Sequence, residues 1–341
     1  RNADKPENEF QLQKCPWCGT RIVPEYIKED DGYYGITATE TTFKFFCPSQ
    51  NCPFHNRIPV SVVDEDLFQS PPTMLIGTID KFARLAWDNR AKVFFGAKSR
   101  GILPPSLIIQ DELHLISGPL GTIAGIYESA IDTLIECCGA PAKIIAATAT
   151  IRRADDQVKK LYAREVRIFP SPGIDSDDSY FSREDKSRPG RLYMGVMGQG
   201  HTPLTALVHL SGALNQAMFD AGIDKNITDH WWTQAIYHNS RRELGKTMTL
   251  ARDDIPSRSE VIARDGSKIR NRVNVEELSS NIKGKKIPEL LEQLEEVEYP
   301  NKDAIDILPC TNMISVGVDI KRLGLMVVNG QPKTTSEYIQ A

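Results

Sequence analysis

The apolar positions of this chain fall in short runs, separated by turn residues and by segments with a helical pattern. Such a run is typical of a strand in a parallel sheet, where helices cover both faces. The run that begins at residue 107 predicts a strand buried on both faces. The other predicted strands are residues 73–76, 143–151, 165–169, 192–197, 233–237, 304–310 and 323–329.

Helical patterns lie between several of these strands, at residues 122–137, 152–164, 202–220 and 287–297, with further helix starts after Thr78 and at Arg241. Alternating strands and helices predict an α/β fold with parallel sheets. Polar residues follow the predicted strands, and the carboxyl ends of parallel strands meet at the ligand-binding edge of a sheet. The arrangement therefore predicts two sheets whose ligand edges face one cleft. The strand-end residues are Thr78, Asp111, Thr148, Asn239 and Thr311.

The strand at residue 107 ends in two adjacent carboxylates, Asp111 and Glu112. Acidic residues at this position commonly hold the Mg²⁺ of a nucleotide and orient an attacking water. The alternative interpretation is a strand that ends in a solvated acidic turn. His114 follows two residues later, and the hydroxyl residues Thr148 and Thr150 at the end of the next strand can hydrogen-bond it.

Four cysteines form a C-x2-C pair, Cys15 and Cys18, and a C-x4-C pair, Cys47 and Cys52. Each pair suits a tight turn that directs two thiolates at one metal, and four sulfurs complete the shell of a structural zinc. Four unrelated buried thiols are the alternative, and His55 is a reserve ligand. Aromatic and β-forming residues between the pairs predict a small two- or three-stranded ribbon. A closed four-sulfur shell leaves no position for catalysis at this metal.

The composition is that of a globular protein, with 341 residues, 40% hydrophobic and 25% charged. No apolar run approaches the roughly 18 to 20 residues needed to span a bilayer, and no secretory signal is readable. We expect the chain to start inside a longer protein. The net charge of −4 means that any polyanion must be held locally. Residues 241–286 hold 12 Lys or Arg against 7 Asp or Glu, which fits either a nucleic-acid track or a solvated basic surface.

Five strand-end motifs together resemble those of superfamily 2 helicases. GTIDKF is similar to motif Ib, DELH to motif II, TAT to motif III, YHNS to motif IV and TNMISVGVD to motif V. Their order, together with the cysteine ribbon, resembles the DrmA family, the helicase subunits of the bacterial DISARM anti-phage system. The resemblance covers most of residues 71–341. It implies an ATP-dependent DNA helicase or translocase in the bacterial cytoplasm, a DrmB-like companion subunit, and ATP, Mg²⁺ and Zn²⁺ as cofactors.

The resemblance also implies roles for single residues. Asp111 would hold Mg²⁺, Glu112 would polarise the attacking water, and His114 would link motif II to Thr148 and Thr150. The residues that would contact the nucleotide from the second lobe are Gly317, Asp319 and Gln340, the first residue of motif VI. Those that would grip the nucleic-acid backbone are Thr78, Lys81, Asn239, Ser240 and Thr311.

The chain departs from the family pattern in two places. No P-loop precedes Asp111, because Gly245, Lys246 and Thr247 lack the required upstream glycine and the directly preceding strand. The sequence also stops one residue after Gln340, before the arginine fingers of motif VI. We therefore expect a fragment of the motor that hydrolyses ATP poorly or not at all alone.

Two other functions fit part of the pattern. A non-catalytic zinc-ribbon nucleic-acid-binding or scaffold module remains open, although it would not require both Asp111 and Glu112. A metal-dependent hydrolase using Glu112 and His114 lacks a second nearby histidine. The predicted architecture is thus two RecA-like parallel-sheet lobes with a zinc-ribbon insertion. Its domains are residues 1–70 (ribbon), 71–170 (first lobe), 171–200 (linker) and 201–341 (second lobe).

Overall fold

The computed structural model divides the chain into two compact units, residues 1–167 and 168–341. The residues that it describes are 12–23, 35–39, 42–83, 87–96, 101–139, 141–148, 154–171, 173–175, 178–187, 190–282, 286–315, 318 and 320–340. The first unit carries the cysteine ribbon and one sheet, and the second unit carries another sheet.

Helices and strands alternate over most of the described chain. The strands are β1 (Ile36–Ala38), β2 (Phe43–Phe45), β3 (Leu107–Gln110), β4 (Lys143–Ala146), β5 (Gln234–His238), β6 (Ile307–Cys310) and β7 (Leu325–Asn329). The helices are α1 (Asp64–Gln69), α2 (Ile79–Ala83), α3 (Gly118–Cys138), α4 (Ala154–Tyr162), α5 (Pro203–Asp220), α6 (Lys225–Trp232), α7 (Arg241–Arg252), α8 (Asp254–Ile262), α9 (Lys286–Glu296) and α10 (Thr335–Gln340). Short 3₁₀ helices lie at Asn89–Phe95, Leu113–Leu115 and Asn312–Ser315.

The cysteine ribbon is an antiparallel pair, β1 and β2, in which Ile36 lies opposite Phe45. An isolated bridge joins Phe45 to Ile58 at the other edge. Phe45, Ile58 and three of the cysteine side chains are buried together. The core of this module is therefore small, which is the situation in which a bound metal contributes to folding.

The sheet of the first unit pairs β3 with β4 in parallel, with Ile109 opposite Ile145. Ile108 packs toward the buried Ile131 and Ile135 of α3. The other face differs from the prediction, because Ile109 is 61% exposed. The prediction that this strand is buried on both faces is wrong for this chain, since no described segment covers its second face.

The sheet of the second unit has the order β6-β5-β7, and all its strands are parallel. Every residue of the central strand β5 is buried. Ile236 packs into one cluster with residues of α5, α7 and α8. Its neighbours Ala235 and Tyr237 pack into a second cluster with residues of α9. Successive side chains of a strand point to opposite faces, so β5 is covered by helices on both sides.

Three predicted strands are not formed. Residues 73–76, 165–169 and 192–197 contain no strand, because these apolar runs find no backbone partner among the described residues. The remaining strand predictions, where described, coincide with β3 to β7 within a few residues of their ends. Within the described residues, no helix has the length and apolar character needed to cross a membrane.

Candidate functional site

The acidic pair lies where β3 ends, and backbone hydrogen bonds tie this end to the segment after β4. The amide of Ala147 donates to the carbonyl of Gln110 (2.8 Å), and the amide of Leu113 donates to the carbonyl of Ala147 (3.0 Å). Asp111 is exposed, and its Oδ1 accepts the amide of Glu112 at 2.9 Å. The backbone on either side of the two carboxylates is thus tied to the edge of the sheet.

Glu112 adopts a left-handed backbone conformation, with φ 49° and ψ 48°. A residue with a Cβ pays a steric cost there, and such strain tends to persist at functional sites. The turn places Glu112 Oε2 3.2 Å from Nδ1 of His114. The same Nδ1 lies 3.2 Å from Oγ1 of Thr148. His114, with its side chain only 5% exposed, therefore contacts both the acidic turn and the end of the neighbouring strand.

A glutamine that the sequence did not single out holds the turn after the acidic pair. Nε2 of Gln157 on α4 donates to the carbonyls of Leu113 (3.0 Å) and Ile116 (2.7 Å). Leu113 and Ile116 are themselves buried against α3 and α4. Only the position of Gln157 in a helix was predictable, because its two acceptors lie more than 40 residues away along the chain.

Thr78 and Lys81 lie at the start of α2, where the amide of Lys81 donates to the carbonyl of Thr78. Nζ of Lys81 contacts both carboxylate oxygens of Asp64, at 2.7 and 2.9 Å. Both side chains are partly exposed. A phosphate that approaches Lys81 thus competes with this surface ion pair, and exposed pairs of this kind contribute little stability.

The polar residues after β5 mostly serve local structure. Nδ2 of Asn239 donates to the carbonyl of Gln331 at 2.9 Å. Ser240 caps α7, because its hydroxyl accepts the amide of Glu243 at 3.3 Å. Thr311 follows β6, is buried, and donates its amide to the carbonyl of Leu278. The three residues lie after two adjacent strands of one sheet.

His238, the last residue of β5, is a buried polar group that the sequence analysis did not use. Its Nδ1 lies 3.3 Å from Nδ2 of Asn329, the last residue of the paired strand β7. Burial lowers the pKa of His238 to about 4, so the imidazole is neutral at pH 7. Together with Asn239 it ties the end of β5 to the end of β7 and to the loop before α10.

Some predicted site residues lie outside the described parts of the chain. They are Thr150, Gly317 and Asp319, together with the side chain of Gln340. Their predicted roles stay predictions. The described members of the first unit's site, Asp111, Glu112, His114 and Thr148, lie together at one sheet edge.

The four cysteines of the ribbon bring their sulfurs together. All four Sγ atoms lie within 4.8 Å of one another, with Cys15 and Cys52 at 3.8 Å and Cys18 and Cys47 at 3.5 Å. With Zn–S bonds of about 2.3 Å, the edge of a tetrahedral sulfur shell is about 3.8 Å. The spacing therefore fits one zinc ion. His55 is turned to the ribbon backbone, with Nδ1 2.9 Å from the carbonyl oxygen of Cys47.

The thiols differ in their electrostatic environment. Hydrogen bonding to the Thr20 hydroxyl, reinforced by its backbone, lowers the pKa of Cys18 to about 6. Burial raises the pKa of Cys47 to about 12, and it also raises the pKa of Cys52. A buried thiol gives up its proton when it binds a metal ion, which supplies the compensating positive charge.

No protein-family model matches the chain. Over 98% of its length the chain is 40% identical to the DISARM protein DrmA of Bacillus paralicheniformis. It spans 33% of that protein, about a third of its length. The solved structure of the Mycobacterium smegmatis helicase Lhr, bound to single-stranded DNA and AMP-PNP, matches with a TM-score of 0.51 and 13% identity.

The chain has the fold of the helicase Lhr and is similar in sequence to DrmA. The likeness to Lhr covers 81% of this chain and 30% of Lhr. The predicted α/β helicase architecture is confirmed, and the cysteine cluster of this DrmA-like chain has the geometry of a zinc site. The assignment of roles to single residues stays a prediction.

Proposed function

We propose that this chain is part of an ATP-dependent DNA translocase or helicase that acts in the DISARM anti-phage defence of a bacterium. The linked side chains of Glu112, His114 and Thr148 are the observation that carries the proposal. They connect the acidic turn after β3 with the end of β4. A motor needs such a link, because a change at the nucleotide must be transmitted to other parts of the protein.

Two carboxylates at a sheet edge suit the binding of Mg²⁺ with a nucleoside triphosphate. When bound, Mg²⁺–ATP supplies the phosphoryl group that is transferred to water. In the proposed roles, Asp111 binds the metal and Glu112 orients the water and accepts its proton. His114 fixes the direction of the Glu112 carboxylate through Nδ1, and Thr148 fixes the imidazole. AMP-PNP in the Lhr structure supports ATP as the nucleotide.

Nucleic acid is the proposed track, and the single-stranded DNA bound to Lhr supports this choice. Thr78 and Lys81 in the first unit, with Asn239, Ser240 and Thr311 in the second, are the proposed backbone contacts. To bind a phosphate, Lys81 must give up its ion pair with Asp64. The side-chain amide of Asn239 already donates to the carbonyl of Gln331. We therefore propose that Asn239 acts mainly by placing the loop before α10.

The nucleotide contacts from the second unit, Gly317, Asp319 and Gln340, remain part of the proposal. So does a DrmB-like companion subunit, which the similarity to a DISARM protein supports. The zinc is proposed to be structural, because four sulfurs complete its shell.

The test is the ATPase activity of the full-length parent protein with single-stranded DNA, compared between the wild type and Glu112→Gln. We expect DNA-stimulated turnover to fall about a hundredfold or more, as for loss of a general base, while DNA binding is retained. Glu136→Gln, an exposed change on α3, is the matched control and should leave turnover unchanged. A parent that binds DNA without any stimulated turnover would favour a non-catalytic scaffold.

A further inference from the structure

Trp17 lies in the tight turn that carries two of the zinc-ligand cysteines. The amide of Gly19 donates to the carbonyl of Cys15 (2.9 Å), and the amide of Cys15 donates to the carbonyl of Thr20 (2.8 Å). The indole of Trp17, within this turn, is 68% exposed. The ribbon buries Phe45 completely, whereas the larger ring of Trp17 in the same module is exposed.

The exposed ring is nevertheless held in place. Cys15, two residues before Trp17, and Cys18, directly after it, both belong to the four-sulfur cluster. The indole also contacts Phe54 edge to face, with ring centroids 5.8 Å apart and an interplanar angle of 72°. An aromatic ring fixed in this way loses little conformational entropy when a second ring stacks on it.

Exposed cations lie in the same ribbon as this ring. Residues 12–23, 35–39 and 42–63 contain no Asp or Glu, and they contain four exposed cations. Lys14 and Arg21 pair across the turn in an antiparallel bridge, whereas Lys44 lies on β2 and Arg57 beside Ile58. The acidic residues of the same stretch, Glu25, Glu29, Asp30, Asp31 and Glu40, fall outside the described residues.

Exposed aromatic rings together with cations are used by proteins that bind single-stranded nucleic acid. Bases stack on the ring, and the cations attract the phosphates. We propose that Trp17 is a stacking contact for one base of a single strand, with Lys44 and Arg57 of the same ribbon as phosphate contacts. This site lies outside all the helicase motifs. It rests on the proposed function only in taking nucleic acid as the ligand.

The test uses the full-length parent protein, loaded with zinc, and two oligonucleotides of equal length, oligo-dT and an abasic strand. Trp17→Ala should weaken oligo-dT binding at least about fivefold, since stacking on one ring is worth that much or more. Trp17→Phe should restore most of the affinity. Trp87→Ala removes another exposed tryptophan, 90% accessible and outside the ribbon, and should have no effect.

The abasic strand separates stacking from charge. Because it offers no base, the wild type and Trp17→Ala should bind it equally. Equal binding of oligo-dT by these two proteins would overturn the proposal, and so would an equal loss on both strands. If Trp17→Ala releases zinc, the comparison uses Trp17→Phe instead. A Trp17→Phe protein that binds oligo-dT as weakly as the metal-free protein would also contradict stacking. If the wild type binds neither strand, the proposed function fails too.

Discussion

The side chain of Arg270 lies in the core of the second unit, where it is 3% exposed. Its Nε and Nη2 donate to Oδ1 of Asp306 at 3.0 and 2.5 Å, and Nη2 also donates to the carbonyl of Trp232 at 2.9 Å. The guanidinium lies 3.5 Å from the centre of the Trp232 ring system. Burial lowers the pKa of Arg270, and Asp306 opposes this effect. The cation is therefore tolerated only with its partner.

Asp306→Asn should destabilise the second unit strongly, because it leaves a buried cation without a countercharge. Loss of one partner of a buried ion pair costs about 3–5 kcal/mol of unfolding free energy. Asp306 Oδ2 also accepts the amide of Asn274 at 2.6 Å, which adds to the loss. The measurement is the urea midpoint followed by tryptophan fluorescence.

Two variants make this prediction specific. Asp265→Asn changes an exposed carboxylate of the same unit and should shift the unfolding free energy by no more than about 0.5 kcal/mol. Replacing both partners, Arg270→Leu with Asp306→Leu, should recover much of the loss because no unpaired charge remains. A single Asp306→Asn as stable as the wild type would contradict this account of the core.

Among the structural elements, the ribbon of β1 and β2 depends most on one chemical group. Cys15→Ser removes a buried ligand of the four-sulfur cluster. We expect the full-length protein to lose its zinc, and the ribbon amides to exchange hydrogen much faster, because the small core does not suffice alone. Zinc content by atomic absorption and hydrogen exchange of the ribbon measure the two effects.

Cys138→Ser is the matched control for the ribbon. Cys138 is a free thiol at the end of α3 and does not belong to the cluster. Its replacement should leave the zinc content at the wild-type value. A Cys15→Ser protein that keeps its full zinc content would show that the metal is not held by these sulfurs.

At the scale of elements, a feature was predictable when the residues that determine it are contiguous in the sequence. The order of strands β3 to β7 and the position of the acidic pair followed from local patterns, because a strand end and its polar residues are contiguous in sequence. Whether an apolar run forms a strand depends on a partner elsewhere. Residues 192–197 show this, since they are exposed and unpaired within the described chain.

Burial and hydrogen bonding were harder to predict, again for a physical reason. The bare face of Ile109 and the covered face of Ile236 both belong to short apolar strands. Only the neighbouring layers distinguish them. Likewise, the motif resemblance marked Lys81 and Asn239 as polar contacts. The resemblance could not show that Lys81 already contacts Asp64 and that Asn239 already donates to Gln331, because those partners come from other segments.

At the scale of the whole molecule, the predicted motifs are divided between the two compact units. The acidic pair with its histidine link lies in the unit of residues 1–167, and the ends of β5 and β6 lie in the unit of residues 168–341. Each unit has a parallel sheet of its own. The proposed function requires movement between the units, and such movement requires a connecting segment with few fixed contacts.

Limited proteolysis of this chain tests that condition. Arg183, Lys186 and Arg191 are exposed, and the described residues of this segment form no helix and no regular strand. Trypsin should therefore cleave there early. Arg270 and Arg322 are buried in ion pairs and should resist cleavage until the second unit unfolds. We expect mass spectrometry at early times to detect two persisting fragments that meet between residues 183 and 192. Replacing the three basic residues by Gln should delay their appearance. Early cleavage at Arg270, or simultaneous loss of both fragments, would contradict the division into two independently stable units.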